Sequence, residues 1–195
     1  MTIKKLLTAM VIVLAMGVTG SVCAQDLEKG FKAWAQGDRS TAFKELIFLA
    51  ERGDVSAQYH LGDWYWSIDD RNQSLFWYRK AGEQGYLDAQ TFLAENYVRG
   101  FGSPVNNKEA VIWYRKAAEQ GDAMSQYNLG VMYANGKGVI QDKLYAHMWF
   151  NVAYSNGREE AKDSRDIIVK IMTLADVSKA QELARECVKK SYKGC

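Results

Sequence analysis

The chain has 195 residues, of which 48% are hydrophobic and 25% charged, values that exclude a disordered or low-complexity protein and fit one globular domain or two small ones. Lys and Arg number 25 against 23 Asp and Glu, so the net charge of +2 supplies no electrostatic ground for a nucleic-acid partner. With 1 Pro and 16 Gly, the composition favours an all-α chain whose glycines mark helix ends.

The first predicted element is an address. Lys4 and Lys5 precede the apolar run from Leu6 to Met16, and Val22 and Ala24 stand three and one positions before a cleavage point at Gln25. This is the pattern of a secretory signal peptide, too short to span a bilayer comfortably. Cys23 raises the option of a lipoprotein, but Val22 stands where a small residue is expected before a lipidated cysteine. Cleavage after Ala24 would remove Lys4, Lys5 and Cys23, equalise the charges, and leave Cys187 and Cys195 in an oxidising compartment, periplasmic or secreted.

Beyond the address the chain repeats itself. Trp77-Tyr78-Arg79-Lys80-Ala81 recurs as Trp113-Tyr114-Arg115-Lys116-Ala117 and again, 36 residues on, as Trp149-Phe150-Asn151-Val152-Ala153. Glu51-Arg52-Gly53-Asp54, Glu83-Gln84-Gly85-Tyr86 and Glu119-Gln120-Gly121-Asp122 form a second set. Leu61-Gly62-Asp63-Trp64-Tyr65, Leu93-Ala94-Glu95-Asn96-Tyr97 and Leu129-Gly130-Val131-Met132-Tyr133 form a third. Each repeat reads as two antiparallel helices. In the first helix Leu61, Gly62 and Tyr65 share a face, and the small residue admits a neighbouring helix. The second helix carries Trp77, Trp113 or Trp149 as core. Asp54, Asp88 and Asp122 stand near the next helix start, where a carboxylate caps the helix or meets the positive end of its dipole. The Tyr-to-Trp spacing is 12, 16 and 16 residues, which predicts a first full repeat shorter by about one helical turn.

These blocks resemble the Sel1-like repeat family, a branch of the tetratricopeptide-type solenoids. The resemblance rests on Ala57-Gln58-Tyr59-His60-Leu61-Gly62, Ser125-Gln126-Tyr127-Asn128-Leu129-Gly130, Tyr133-Ala134-Asn135-Gly136-Lys137-Gly138-Val139 and Trp113-Tyr114-Arg115-Lys116-Ala117-Ala118-Glu119-Gln120-Gly121. It implies an all-α, right-handed superhelical solenoid of antiparallel helix pairs. The expected organisation is a signal peptide over 1–24, an N-terminal helix pair or half repeat over 25–56, three repeats over 57–157, and C-terminal capping helices with a tail over 158–195. Two departures stand out: Trp66-Ser67-Ile68-Asp69-Asp70 lacks the Gly-x-Gly loop, and Ala94 replaces the usual Gly.

A catalytic constellation is not found. His60 and His147 occupy ordinary helical positions and read as structural or solvated. Asp69-Asp70 has no His or Cys beside it and reads as solvated, and no zinc spacing is present, so no metal or cofactor is expected. The informative face lies opposite Leu61 and Tyr65. Tyr59, Asp63 and Trp66 fall there, with Thr91, Glu95 and Val98 as equivalents in the second repeat and Tyr127, Val131 and Ala134 in the third. This wall is expected to be concave, with aromatic anchors and two carboxylates that accept hydrogen bonds from a peptide backbone or basic side chains. The alternative is that these residues are singly exposed without a ligand, or that Trp66 fills the space left by the shortened loop.

The last segment, Val177 to Lys190, places Val177, Ala180, Leu183, Ala184, Cys187 and Val188 on one stripe, as a capping helix requires. Cys187 and Cys195 are near enough in sequence to pair, with free thiols or an intermolecular link as the alternatives. Functionally, the family resemblance implies an exported adaptor that holds a peptide or protein partner of the cell envelope on its concave surface. It also allows a β-lactam or peptidoglycan-fragment enzyme like certain cysteine-rich relatives, whose paired helix cysteines this chain lacks. A structural subunit binding through its convex face or C-terminal helix is a further alternative.

Overall fold

The computed structural model describes residues 29–195 apart from 31 and 34, so the signal-peptide reading of 1–24 lies outside the described residues. Those residues form helices and connections, with no strand among them. The helices with defined limits are α1 (Arg39–Glu51), α2 (Val55–Ser67), α3 (Arg71–Glu83), α4 (Leu87–Arg99), α5 (Asn107–Ala118), α6 (Ala123–Asn135), α7 (Lys143–Ser155), α8 (Glu160–Val169) and α9 (Leu174–Lys189). Each of α1 to α7 packs on the next in the chain, which makes an all-α solenoid of pairs α2–α3, α4–α5 and α6–α7, led by α1.

Capping side chains account for most helix starts. Asp38, Asp54, Asp70, Asn106, Asp122 and Asp142 each accept a hydrogen bond from a backbone N–H of the first turn they precede. The starts of α8 and of α4, in the second repeat, are the exceptions. Tyr86 takes the N-cap place of α4 without a side-chain cap, and Asp88 lies in the first turn, at the positive end of the dipole. The shortened first repeat loses its residues from the loop, not from a helix. Helices α2, α4 and α6 are each 13 residues long. The connection 68–70 is short where 100–106 and 136–142 are long, and Asp69 adopts φ 64° in place of a left-handed glycine. Its carboxylate pairs with Arg71 at 2.6 Å.

The recurring pentapeptide of the second helices has three structural duties. Trp77, Trp113 and Trp149 are buried. The next residue lays its ring on the small residue of the partner helix: a Cβ on Gly62 would stand 2.9 Å from Tyr78, and one on Gly130 would stand 2.6 Å from Phe150. The arginine reaches the tyrosine of the following repeat, Arg79 to the Tyr97 hydroxyl and Arg115 Nη2 to the Tyr133 hydroxyl at 2.7 Å. The Trp fills the repeat, the ring fixes the pair, and the Arg ties neighbours together.

A buried amide relay adds a second tie. Gln58, Gln90 and Gln126 are buried, and each donates through Nε2 to a backbone carbonyl at the end of the preceding helix, Ala50 at 3.0 Å, Gly82 at 2.8 Å and Ala118 at 3.1 Å. Each also accepts a bond from an amide at the end of the second helix of its own repeat, Gln84 at 2.8 Å, Gln120 at 2.7 Å and Asn156 at 2.8 Å. Each of these carbonyls also accepts the backbone N–H of the glycine that follows, Gly53, Gly85 or Gly121, so the glutamine occupies the second acceptor site of a buried carbonyl and joins neighbouring repeats.

The end of the array departs from the stacking pattern, because α7 carries both α8 and α9. Ala180, Ala184 and Cys187 are buried on α9, and Ala184 and Cys187 share a cluster with Met148 and Val152 of α7. Val188, placed on the same stripe by the sequence, is 45% exposed, since one residue beyond Cys187 turns about 100° away from the contact. Cys187 and Cys195 form a disulfide, and the tail folds back so that the Tyr192 hydroxyl donates to Asn156 Oδ1 at 2.9 Å.

Candidate functional site

The faces of α2 and α4 opposite their core stripes bring together six of the eight sequence-predicted wall residues: Tyr59, Asp63 and Trp66 from α2, and Thr91, Glu95 and Val98 from α4. Asp63, Glu95 and Val98 are exposed, while Tyr59, Trp66 and Thr91 are half-buried. Tyr127 and Val131 of α6 are placed differently. Both pack against a cluster that includes Phe150 of α7 and Ala161 and Ile168 of α8, and the Tyr127 hydroxyl lies 3.3 Å from Ser164 Oγ. The capping helix therefore covers the third repeat's share of the wall and leaves the first two open.

A chain of rings frames the open part. Tyr59 stacks on Tyr86 with centroids 4.6 Å apart and meets Tyr78 edge-on at 5.5 Å. Tyr78 packs on Phe92 at 4.0 Å, and Phe92 meets Trp66 edge-on at 4.9 Å. Arg71 covers Trp66, its guanidinium carbon 3.5 Å from the ring centre and its Nη1 donating to the Trp66 carbonyl at 3.1 Å. Trp66 thus fills the corner beside the shortened loop and borders the open face at once.

Carboxylates are set into this frame. Asp63 accepts a hydrogen bond from the Tyr78 hydroxyl at 2.5 Å and lies 3.6 Å from His60 Nδ1. Burial raises the Tyr59 hydroxyl well above the ordinary phenol range, with the charges of Asp63 and Asp88 adding to it. Burial first and Asp63 second do the same for Tyr78, while Tyr86 is raised by burial, then by Asp88 and Asp63. Tyr114 behind Glu95 is raised by burial and by that carboxylate. These phenols stay neutral, so the site offers negative charge from Asp63, Asp88 and Glu95 on an aromatic floor. Such a surface accepts hydrogen bonds from ammonium, guanidinium or backbone N–H groups.

Sequence reasoning missed Tyr86, Phe92 and Asp88 as members of this face. The signal was there in the repeat register: Tyr86 stands where Asp122 does, and Phe92 where Asn128 does, so the second repeat carries rings at two positions that are polar in the third. His147 is buried on α7, and burial, with Arg165 next, lowers its pKa. Among the described residues no group of three or more His, Cys, Asp or Glu side chains is placed to hold a metal ion.

The repeat fold has known relatives. The Sel1 repeat family model matches residues 55–86, 87–122 and 123–157. Among solved structures, the chain is similar to a protective antigen present in uropathogenic Escherichia coli strains displaying an SLR fold, at 31% identity and a TM-score of 0.68. That match covers 79% of this chain and 35% of the antigen, so the chain spans about a third of its length. It is also similar to a Sel1 repeat protein from Oxalobacter formigenes, at 34% identity and a TM-score of 0.57, over 63% of this chain and 96% of that one. No curated protein matches.

Proposed function

The chain belongs to the Sel1 repeat family, and on that premise we propose that it is an exported, periplasmic adaptor whose α2–α4 face holds a basic peptide segment or protein partner within an envelope complex. Sel1 repeat proteins are generally protein-interaction scaffolds and typically not enzymes. Stacked helix pairs present long surfaces to a partner, and function is then carried by the side chains mounted on them.

One observation supports the choice of face: Asp63, Asp88 and Glu95 stand exposed beside the Tyr59–Tyr86 stack and Trp66, whereas the corresponding part of the third repeat lies under α8. Rigid rings contribute contact area at small entropic cost, and the carboxylates select for positive charge. Export is supported by Lys4, Lys5, the apolar run Leu6 to Met16 and the small residues before Gln25.

The test is capture from envelope extract with the chain beginning at Gln25 beside an Asp88→Arg, Glu95→Arg variant. Both changes are at exposed positions and leave the Tyr78–Asp63 bond intact. A partner held by the wild type and lost by the variant is the expected result. A partner held equally by both removes the α2–α4 face from the account.

A further inference from the structure

The connections between helices form two edges of the solenoid. One edge is built from 68–70, 100–106, 136–142 and 170–173, the other from the connections that lead into α2, α4, α6 and α8. The first edge is continuous. Loop 100–106 rests on the start of α3, where a Cβ on Gly102 would come 2.7 Å from Arg71 Cβ. Loop 136–142 rests on the start of α5, where a Cβ on Gly138 would come 2.2 Å from the Asn107 carbonyl oxygen. A cleft lined by Gln141, Leu144, Ile171 and Asp176 carries the edge on to α9.

Every loop on this edge sets an apolar side chain in solvent. Ile68 does so on the first, Phe101 and Val105 on the second, Ile140 on the third, and Ile171 with its neighbour Leu174 on the fourth. Ile140 is 90% exposed and Leu174 88%. Exposed cations stand among them, Arg99, Lys108, Lys137, Lys143 and Lys170. The carboxylates of the same edge are already engaged. Asp69 pairs with Arg71, Asp70 and Asp142 cap α3 and α7, and Asp176 accepts from Thr173 Oγ1. The connections of the opposite edge carry glycines, amides and acidic residues beside Arg52, Tyr86 and Arg158, and none of them sets a large apolar side chain in solvent as the first edge does.

One exposed apolar tip would be ordinary; four successive loops with the same character on one edge point to an occupant. The tips project from separate loops about 10 Å apart, the spacing of packed helices, so they stand in a row along the edge. Their chemistry is mostly aliphatic, five aliphatic side chains and Phe101 among four lysines and Arg99, whereas protein interfaces favour Tyr, Trp and Arg and are depleted in Lys. Apolar groups ringed by cations fit the boundary between headgroups and acyl chains of an anionic bilayer. We infer that this loop edge seats on an anionic lipid surface, with Ile140 and Leu174 entering the boundary and Lys137, Lys143 and Lys170 meeting lipid phosphates. Among the described residues no helix is long and apolar enough to cross a membrane, so the contact is peripheral. It leaves the α2–α4 face free.

The experiment is co-sedimentation of the chain beginning at Gln25, which keeps every described residue and removes the run Leu6 to Met16, with phosphatidylcholine–phosphatidylglycerol vesicles and with phosphatidylcholine vesicles alone. The wild type is expected to bind the mixed vesicles preferentially and to be released by salt. Ile140→Asn with Leu174→Asn should weaken binding by on the order of tenfold or more at an unchanged melting temperature. Phe76→Asn with Ile112→Asn, which removes exposed apolar groups from the outer face of α3 and α5, away from the loop edge, should not. No binding of the wild type, or equal losses in the two double variants, overturns the inference.

Discussion

Replacing Gln126 by Met removes one station of the amide relay while nearly conserving volume, so the cavity contribution is small and the polar one is isolated. Gln126 and Ala118 are both fully buried. The Nε2 bond to the Ala118 carbonyl, 3.1 Å long, is lost, but that carbonyl keeps the Gly121 N–H at 3.0 Å, so the cost is that of one buried bond, about 0.5 to 1.5 kcal/mol. The bond from Asn156, 2.8 Å long, is lost as well, but Asn156 is half-buried and water replaces part of it, so about 0.5 to 1.5 kcal/mol is the larger bound. The sum is roughly 1 to 3 kcal/mol, measured by urea denaturation followed by circular dichroism. Gln141→Met is the matched control. Its Nε2 bond to the Ala134 carbonyl is 2.8 Å long but exposed, and its loss should cost less than about 0.5 kcal/mol. Because Gln126 also ties α6 to the end of α7, the transition should broaden or divide as repeats uncouple. A loss below about 1 kcal/mol, or one no larger than that of Gln141→Met, would refute the claim that the relay holds the repeats together.

Gly130→Ala should destabilise by about 1 to 3 kcal/mol despite the better helix propensity of Ala, because its Cβ would lie 2.6 Å from the buried Phe150 ring; equal or greater stability in thermal melts would count against this contact. Cys195→Ser should cost about 2 to 3 kcal/mol and match the reduced wild type, and mass analysis of the unreduced protein should find one disulfide and no free thiol at Cys187. His147 titrates below its ordinary value in the folded chain, so the unfolded chain takes up a proton first as pH falls through about 6.5. Stability should therefore be intact above that pH and decline below it, and His147→Asn should remove part of this slope; identical slopes in the two proteins would contradict the burial argument.

The repeat architecture was legible because its constraints recur. Trp77, Trp113 and Trp149 in register, with Gly62 and Gly130 at matching places, admit few explanations other than stacked helix pairs, and the structure places a ring on each of those glycines. The relay was visible only as recurring Gln58, Gln90 and Gln126, since nothing in a single side chain's identity says which carbonyl it will reach. The open wall was legible in part: Tyr59, Asp63, Trp66, Thr91, Glu95 and Val98 lie on one surface, but the cover over Tyr127 and Val131 depends on where α8 packs. A sequence signal for the end of the array did exist. Met148 and Val152 occupy the places of Phe76 and Lys80, and of Ile112 and Lys116, and a Val at an otherwise cationic position marks a face that another helix covers. The shortened first repeat was legible as well: the Tyr-to-Trp spacing gives the missing length, and the absent Gly-x-Gly at 66–70 puts the loss in the loop, where the connection 68–70 is short.

The proposed adaptor role turns on the α2–α4 face, and amide hydrogen exchange of the chain with and without its captured partner tests it most directly. The account predicts slowed exchange in α2 and α4, including the segments that carry Asp63, Asp88 and Glu95, with α9 unchanged. Protection confined to α9 or to the outer face of α3 and α5 would contradict it and assign binding to the convex side.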